Sequence, residues 1–486
     1  MRHTRLLSLL GAGLLAACSQ ATPEQQIVND AAEALGGADR ILAVKTLVLE
    51  GEGRQYNLGQ DVTPDAAGQT FTVTGYRRAV DVAGGRARTE MTRRPNFTYF
   101  QGPQAQRLVN GLDGSTAYNV AASGAVTRAP AAVATDRGAE FLRHPITAVR
   151  AALDPMAKVS NAHTMNNQSM VDVTTPGGVT FMLAIDPTTK LPTQVITRLD
   201  NTNLGDVAVS TSFADYQDVG GLQLPARLST KVDDFTTEEI EVAKQMADAD
   251  AGDLEAPAEA QKATPPSPPT VAVEQLAPGI WYLAGGSHHS VLVEFGDHMT
   301  LIEAPQNETR TLAVIARARE VNPKKPLTEL VNSHHHFDHS GGIRAAIAEG
   351  LTVITHQGNV ALFENMAKRP HTILPDALAK NPRPAMIKGI GEDTLVSDST
   401  RTMQLLPYSG PHSETMLMAY FPRERLLVEA DVYNPGGQVF MFAGHLLEEL
   451  KRRNLRIDRM VPLHAKPAPY SQFMKEASMP VPTATN

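Results

Sequence analysis

The sequence predicts an α+β protein in two parts: a β-rich first part, then a part in which strands and helices alternate. Three observations predict it. Between residues 30 and 245, short runs alternate apolar and polar residues and are punctuated by glycine, asparagine and aspartate. That is the pattern of an antiparallel sheet packed on one face and solvated on the other. Residues 246–270 are rich in alanine, aspartate, glutamate and proline and contain Pro265-Pro-Ser-Pro-Pro, the composition of a semi-stiff spacer that cannot bury enough apolar surface to fold alone. From 271 to 486 strand-like and helix-like runs alternate, as in sheets covered by helices. A chain of 486 residues, 42% of them hydrophobic, is long enough for two or more cored domains. A net charge of −8 speaks against nucleic acid as a partner.

The first residues read as a targeting segment. Arg2 and Arg5 precede the short apolar run Leu6 to Leu15, which ends in Leu15-Ala16-Ala17-Cys18-Ser19; the run is too short to span a bilayer as an ordinary helix. This end resembles the lipobox of bacterial lipoproteins. The resemblance implies cleavage before Cys18 (residues 1–18 being signal and lipobox) and a lipid anchor on that cysteine, the only one in the chain. Such an anchor would hold the protein to the cell envelope, with Ser19 favouring the outer membrane facing the periplasm. Residues 19–29 read as a tether.

In the first part a helix is expected from Asp30 to Leu35, ended by Gly36-Gly37. Strands follow at Thr46–Glu50, Phe71–Tyr76, Met170–Thr174, Val179–Ala184, Val207–Phe213 and Leu228–Val232. Two helical pieces, Asp136–Leu142 and Ile146–Leu153, are broken at Pro145, because proline interrupts a helix. Asp215-Tyr-Gln-Asp-Val-Gly-Gly-Leu-Gln-Leu-Pro resembles strands of the half-barrel lipoprotein-carrier domains of bacterial envelopes. No cluster of catalytic residue types occurs here, and His144 and His163 are isolated.

In the second part, Val291–Phe295 and Met299–Glu303 read as a strand pair, and Thr309–Glu320 as a helix. A strand from Thr328 leads into Ser333-His334-His335-His336-Phe337-Asp338-His339-Ser-Gly-Gly, and a helix leads out through Ile347. Further strands are expected at Val353–Thr355, Met416–Tyr420, Leu426–Glu429 and Arg459–Pro462, with helices at Val360–Lys368 and Leu446–Leu455. Twelve of the fifteen histidines lie between 288 and 464, so the chemistry belongs here.

The run His-x-His-x-Asp-His offers imidazole and carboxylate ligands of the kind a borderline-soft divalent ion takes. His334 and His336 share one side of an extended backbone, and Asp338 and His339 lie just beyond. Three more candidates stand at strand ends: His412 in Ser409-Gly-Pro-His-Ser, Asp431 in Leu427-Val-Glu-Ala-Asp-Val, and His464 in Val461-Pro-Leu-His-Ala. Strand ends that meet at one sheet edge are where open α/β folds place their sites.

The ordered set, His-x-His-x-Asp-His then His, Asp and His, resembles the metallo-β-lactamase superfamily over roughly residues 271–470. The resemblance implies an αββα sandwich with metals at one edge. It implies one ion on His334, His336 and His412, and a second on Asp338, His339 and His464, with Asp431 bridging. Two zinc ions are implied, with iron or manganese as alternatives. The implied activity is hydrolysis of an ester, lactone, thioester or amide by a metal-bound hydroxide that Asp338 orients. A β-lactamase, or an iron-dependent oxidoreductase on the same fold, is the alternative. The small-molecule substrate is not legible. Glu303 stands where many members carry aspartate and is expected to orient a ligand histidine. His288, His289 and His356 are candidates to edge the pocket; His298, His371 and His445 are expected to be bystanders. Arg369–Arg401, long and proline-rich, reads either as a lid or as a surface insertion.

Overall fold

The structure is a computed structural model that describes residues 21–66, 68–97, 103–264, 268–436 and 441–479. Cys18 and the predicted targeting segment lie outside the described residues.

Alternation builds the first part. In the strand Gly205–Val219, every second side chain from Gly205 to Phe213 is buried. Thirteen such strands form one antiparallel sheet. The first strand, Thr46–Tyr56, pairs with its successor Thr70–Asp81 on one side and with the last strand, Phe235–Ala247, on the other. One core cluster joins strand residues from across this sheet, Val73, Val171 and Leu224 among them, to Leu35 and Ile146 of the helices. The helix Pro145–Leu153 begins where proline is best tolerated, at its first turn, and His144 caps it by accepting a hydrogen bond from the Ile146 amide.

Two expectations need correction. The tether predicted over 19–29 is helical from Pro23, because Thr22 and Gln25 form a reciprocal capping box that starts the helix Pro23–Leu35 early. The predicted spacer, 246–270, is no free linker over its described residues up to 264. Ala251 and Leu254 pack on Val48 and Ala79, and Ala256 and Ala260 pack on Tyr118. The Ala256 amide donates to Asp113 and Arg77 holds the Ala251 carbonyl. Its small residues fit a sheet surface that composition alone does not reveal.

The second part has two sheets. Seven strands, from Ala272–Ala277 to Ile387–Ile390, lie in chain order; they are antiparallel up to Met299–Ile302 and parallel beyond it. Six strands, from Thr394–Ser397 to Ala468–Pro469, make the other sheet. Ile280, Val293 and Phe295 meet Leu405, Phe421 and Val461 between them. Helices Glu308–Val321, Ile343–Ala348 and Val360–Lys368 pack outside the first sheet, and Met441–Arg452 and Tyr470–Ala477 outside the second. The layers are therefore α, β, β, α.

The two parts are joined tightly. Leu58, Leu204, Val207 and Val209 share an apolar cluster with Phe337 of the metal-ligand run. Asn203 donates to Ser340 in a buried bond of 3.0 Å. The stretch read as a lid or insertion does neither job at its start: the Thr372 and Ile373 amides donate to Asp206, and Arg369 pairs with Asp233 at 2.5 Å. Further on it supplies the strands Ile387–Ile390 and Thr394–Ser397, one for each sheet.

Candidate metal centre

The buried strand Leu327–Val331 delivers Asn332 and Ser333 to the sheet edge, and the chain then turns into the short helix Phe337–Ser340. The turn is tight because the chain must pass the helix Glu308–Val321: a β-carbon on Gly342 would meet Thr311 Oγ1 at 1.8 Å. From this loop His334, His336, Asp338 and His339 reach the places where the strand Leu426–Glu429 hands over to Asp431 and Arg459–Pro462 to His464. His412 arrives from the loop before Met416–Phe421.

The ligand-bearing atoms form two groups, each with all its atoms within 4.8 Å of one another: His334, His336, His412 and Asp431; and His288, Asp338, His339 and His464. Asp431 joins them. Its Oδ2 is 3.0 Å from His412 Nε2, 3.3 Å from His334 Nε2 and 2.9 Å from His339 Nε2, while Oδ1 is 2.5 Å from His464 Nε2. Asp431 holds this place in a left-handed backbone conformation, φ +62°, which aspartate tolerates better than most residues. The Val432 and Tyr433 amides, donating to Glu429, fix that turn. Burial, with Asp431 nearby, pushes the Glu429 carboxyl up to about 8.

The hydrogen bonds decide which nitrogen of each ring is left bare. His339 Nδ1 lies 2.8 Å from Glu303 Oε2, and His464 Nδ1 lies 3.0 Å from the Ser287 carbonyl. Both acceptors require a proton on Nδ1, so each Nε2 presents a lone pair, and those two Nε2 atoms face each other at 3.0 Å. Ser333 gives its hydroxyl proton to Glu303, so its oxygen accepts from His334 Nδ1 at 3.0 Å. His334 Nε2 then faces His412 Nε2 at 3.2 Å. His336 is turned the other way: its Nε2 donates to the Asp61 carbonyl, and its buried Nδ1 has no hydrogen-bond partner. The lone pairs of His334, His339 and His464 turned toward a shared carboxylate fit a cation, and the donor set of imidazole and carboxylate fits zinc.

Electrostatics agree. Burial and the neighbouring imidazoles hold His334 and His336 well below the ordinary histidine range, so both are neutral ligands. Burial opposes charge on His339, but Asp431, Asp338 and Glu303 outweigh it and raise its proton affinity. Burial likewise opposes charge on Asp338 and Asp431, and the facing histidines outweigh it and lower both. A cation would take the place of those protons.

Glu303 reaches His339, Ser333 and the Asn332 amide from a left-handed backbone, φ +84°. His288 stands inside the second group, with Nε2 3.0 Å from Asp338 Oδ2. His289 instead accepts from the Gly285 amide, and His356 accepts from the Gly358 amide; neither joins a ligand group. His335 points to Thr415. His371 lies beside Asp200 of the first part, and His298 and His445 bond to Asp297 and Tyr408. Gln60 and Asp61 carry no sequence signal and are at the site: Gln60 Nε2 is 2.6 Å from Asp338 Oδ1.

Fold and site define an αββα protein with a histidine–aspartate cluster that could bind metal. Part of the chain is similar to solved metallo-β-lactamases. One from Pontibacter korlensis is 17% identical over 43% of this chain and 98% of its own, with a TM-score of 0.34. One from Hirschia baltica is 17% identical over 43% and 96%, with a TM-score of 0.33. The Pseudomonas aeruginosa enzyme FIM-1, in its mono-zinc form, is 17% identical over 43% and 93%, with a TM-score of 0.33. No family model and no curated protein matches the chain.

Proposed function

We propose that this protein is a zinc-dependent, binuclear hydrolase that cleaves an ester, lactone, thioester or amide bond in a small molecule. The observation that carries the reading is the pair of four-residue ligand groups joined by Asp431, with ring tautomers set so that lone pairs converge. Divalent ions at such a centre supply Lewis acidity and bring the pKa of water toward neutrality. The chain's own residues do the rest. His334, His336 and His412 form one binding set, and Asp338, His339 and His464 the other, with His288 beside Asp338. Asp338 receives Gln60 on one oxygen and His288 on the other, so its carboxylate is fixed for orienting an attacking water. Buried His334 and His339 wall the inner side and keep bulk water from the ligands.

Elemental mass spectrometry of the purified chain tests this directly. About two zinc per chain, with turnover lost on chelation and in His336→Ala, is the expected result. One iron per chain with oxygen consumption would replace hydrolysis by redox chemistry.

The lipid anchor at Cys18 and an envelope location complete the proposal. Among the described residues no helix is long and apolar enough to cross a membrane. Incorporation of labelled fatty acid in the parent chain but not in Cys18→Ser is the expected outcome.

A further inference from the structure

A cavity of about 280 Å3 lies between the first sheet and the segment Arg137–Thr147, away from the metal centre. Leu49, Val80, Met91, Leu112, Leu228 and Phe141 make its walls apolar. Its polar side is unusual for a core. Arg78, Arg137 and Arg143 line it together with two carboxylates, Glu140 and Glu238. Arg78 is spent on Glu140 and on Thr89, the latter at 3.2 Å. Arg137 is spent on the Gly111 and Tyr118 carbonyls, at 2.9 and 2.7 Å. Glu238 accepts from Gln55 at 2.8 Å. Arg143 differs: its Nε is buried with no hydrogen-bond partner.

A buried guanidinium nitrogen without a hydrogen-bond partner is costly, and the planar fork of the group matches a carboxylate. We infer that this cavity binds a small organic carboxylate, its head paired with Arg143 and its hydrocarbon or aromatic tail along Leu49, Met91, Leu112 and Leu228. Burial, with Glu140 nearby, pushes Glu238 upward and so weakens one negative competitor for such an anion. A space of this size suits a small single-chain ligand. Octanoate has that size and charge.

The test is equilibrium dialysis of radiolabelled octanoate against the full chain, with octylamine and octanol as cationic and neutral counterparts. One saturable octanoate site per chain is expected, weakened more than about tenfold in Arg143→Met. A second variant, Ala87→Leu, fills the cavity and leaves every arginine in place; it is expected to abolish binding too. Because carboxylates also bind metal centres, the titration is repeated after chelation and in His336→Ala, and the site is expected to persist in both. Three results would overturn the inference: no saturable binding by the parent chain, equal binding of octylamine, or binding that disappears with the metals and survives in Arg143→Met.

Discussion

His336 Nε2 donates to the carbonyl of Asp61 at 2.8 Å, across 275 residues of sequence. One residue earlier, Gln60 reaches Asp338, and two residues earlier the Gly59 carbonyl accepts from the Phe337 amide. A loop of the first part therefore grips the metal-ligand run at three successive points. Partners that orient ligands in this way are worth about 10–100-fold in metal affinity. Gln60→Ala is expected to weaken cation binding at least tenfold on that scale, read by competition with a chromophoric chelator. An unchanged affinity would make the Gln60 contact incidental.

Gly59 carries a prediction about stability. Its φ is +76°, and a β-carbon there would lie 2.3 Å from the Phe337 ring. Gly59→Ala combines backbone strain with a clash, at a cost of about 2 kcal/mol or more. The clash is shared with Phe337, so Gly59→Ala and Phe337→Ala should be non-additive, the double variant losing less than the sum of the singles. Urea unfolding of the four proteins measures this; strict additivity would place the two residues apart.

Glu303 fixes the His339 ring from a fully buried position. Glu303→Gln nearly keeps its shape but removes the charge that holds the Nδ1 proton. It should lose about 10–100-fold in affinity for one of two cations while the other stays bound. Stoichiometry falling from two ions toward one after gel filtration is the expected reading; two retained ions would refute the assignment.

His144 makes the first part sensitive to acid. Burial, reinforced by Arg78, lowers it from 6.5 to about 3. Folded below unfolded means that the unfolded chain binds the proton first, so the stability His144 contributes is complete above about pH 6.5 and is lost as pH falls toward 3. Between about pH 6.5 and 4.5 the loss is on the order of 2–3 kcal/mol. His144→Asn keeps a side chain able to cap Ile146 and removes the titration. Its urea midpoint should fall less steeply over that interval than the parent's, and parallel slopes would rule His144 out as the cause.

Much of the metal centre was legible because its signal is local. His334, His336, Asp338 and His339 fall within six residues, and the spacing alone places them on one loop. Asp431 and His464 were legible as polar residues where strands end, and His412 as one in a tight turn before a strand. The alternation of the Gly205–Val219 strand was equally plain, since one face meets a core and the other meets water.

The remainder depended on contacts that no local pattern encodes. Gln60 and Asp61 sit in a loop of ordinary composition, and only the packing of Leu58, Leu204 and Val207 on Phe337 carries that loop to the site. His288 enters a ligand group and His289 does not, because adjacent residues point to opposite sides of an extended chain. Residues 246–264 read as a spacer, since their alanines and leucine are too few to make a core; they pack because the sheet supplies the other half of the contact. Sequence by itself determined the class of fold, some of its strands and the residues that offer themselves as ligands, all of which follow from residue type and short-range spacing. Only the tertiary structure decided which distant backbone carbonyl orients His336, and that a buried arginine faces a cavity, because both depend on how separate surfaces meet.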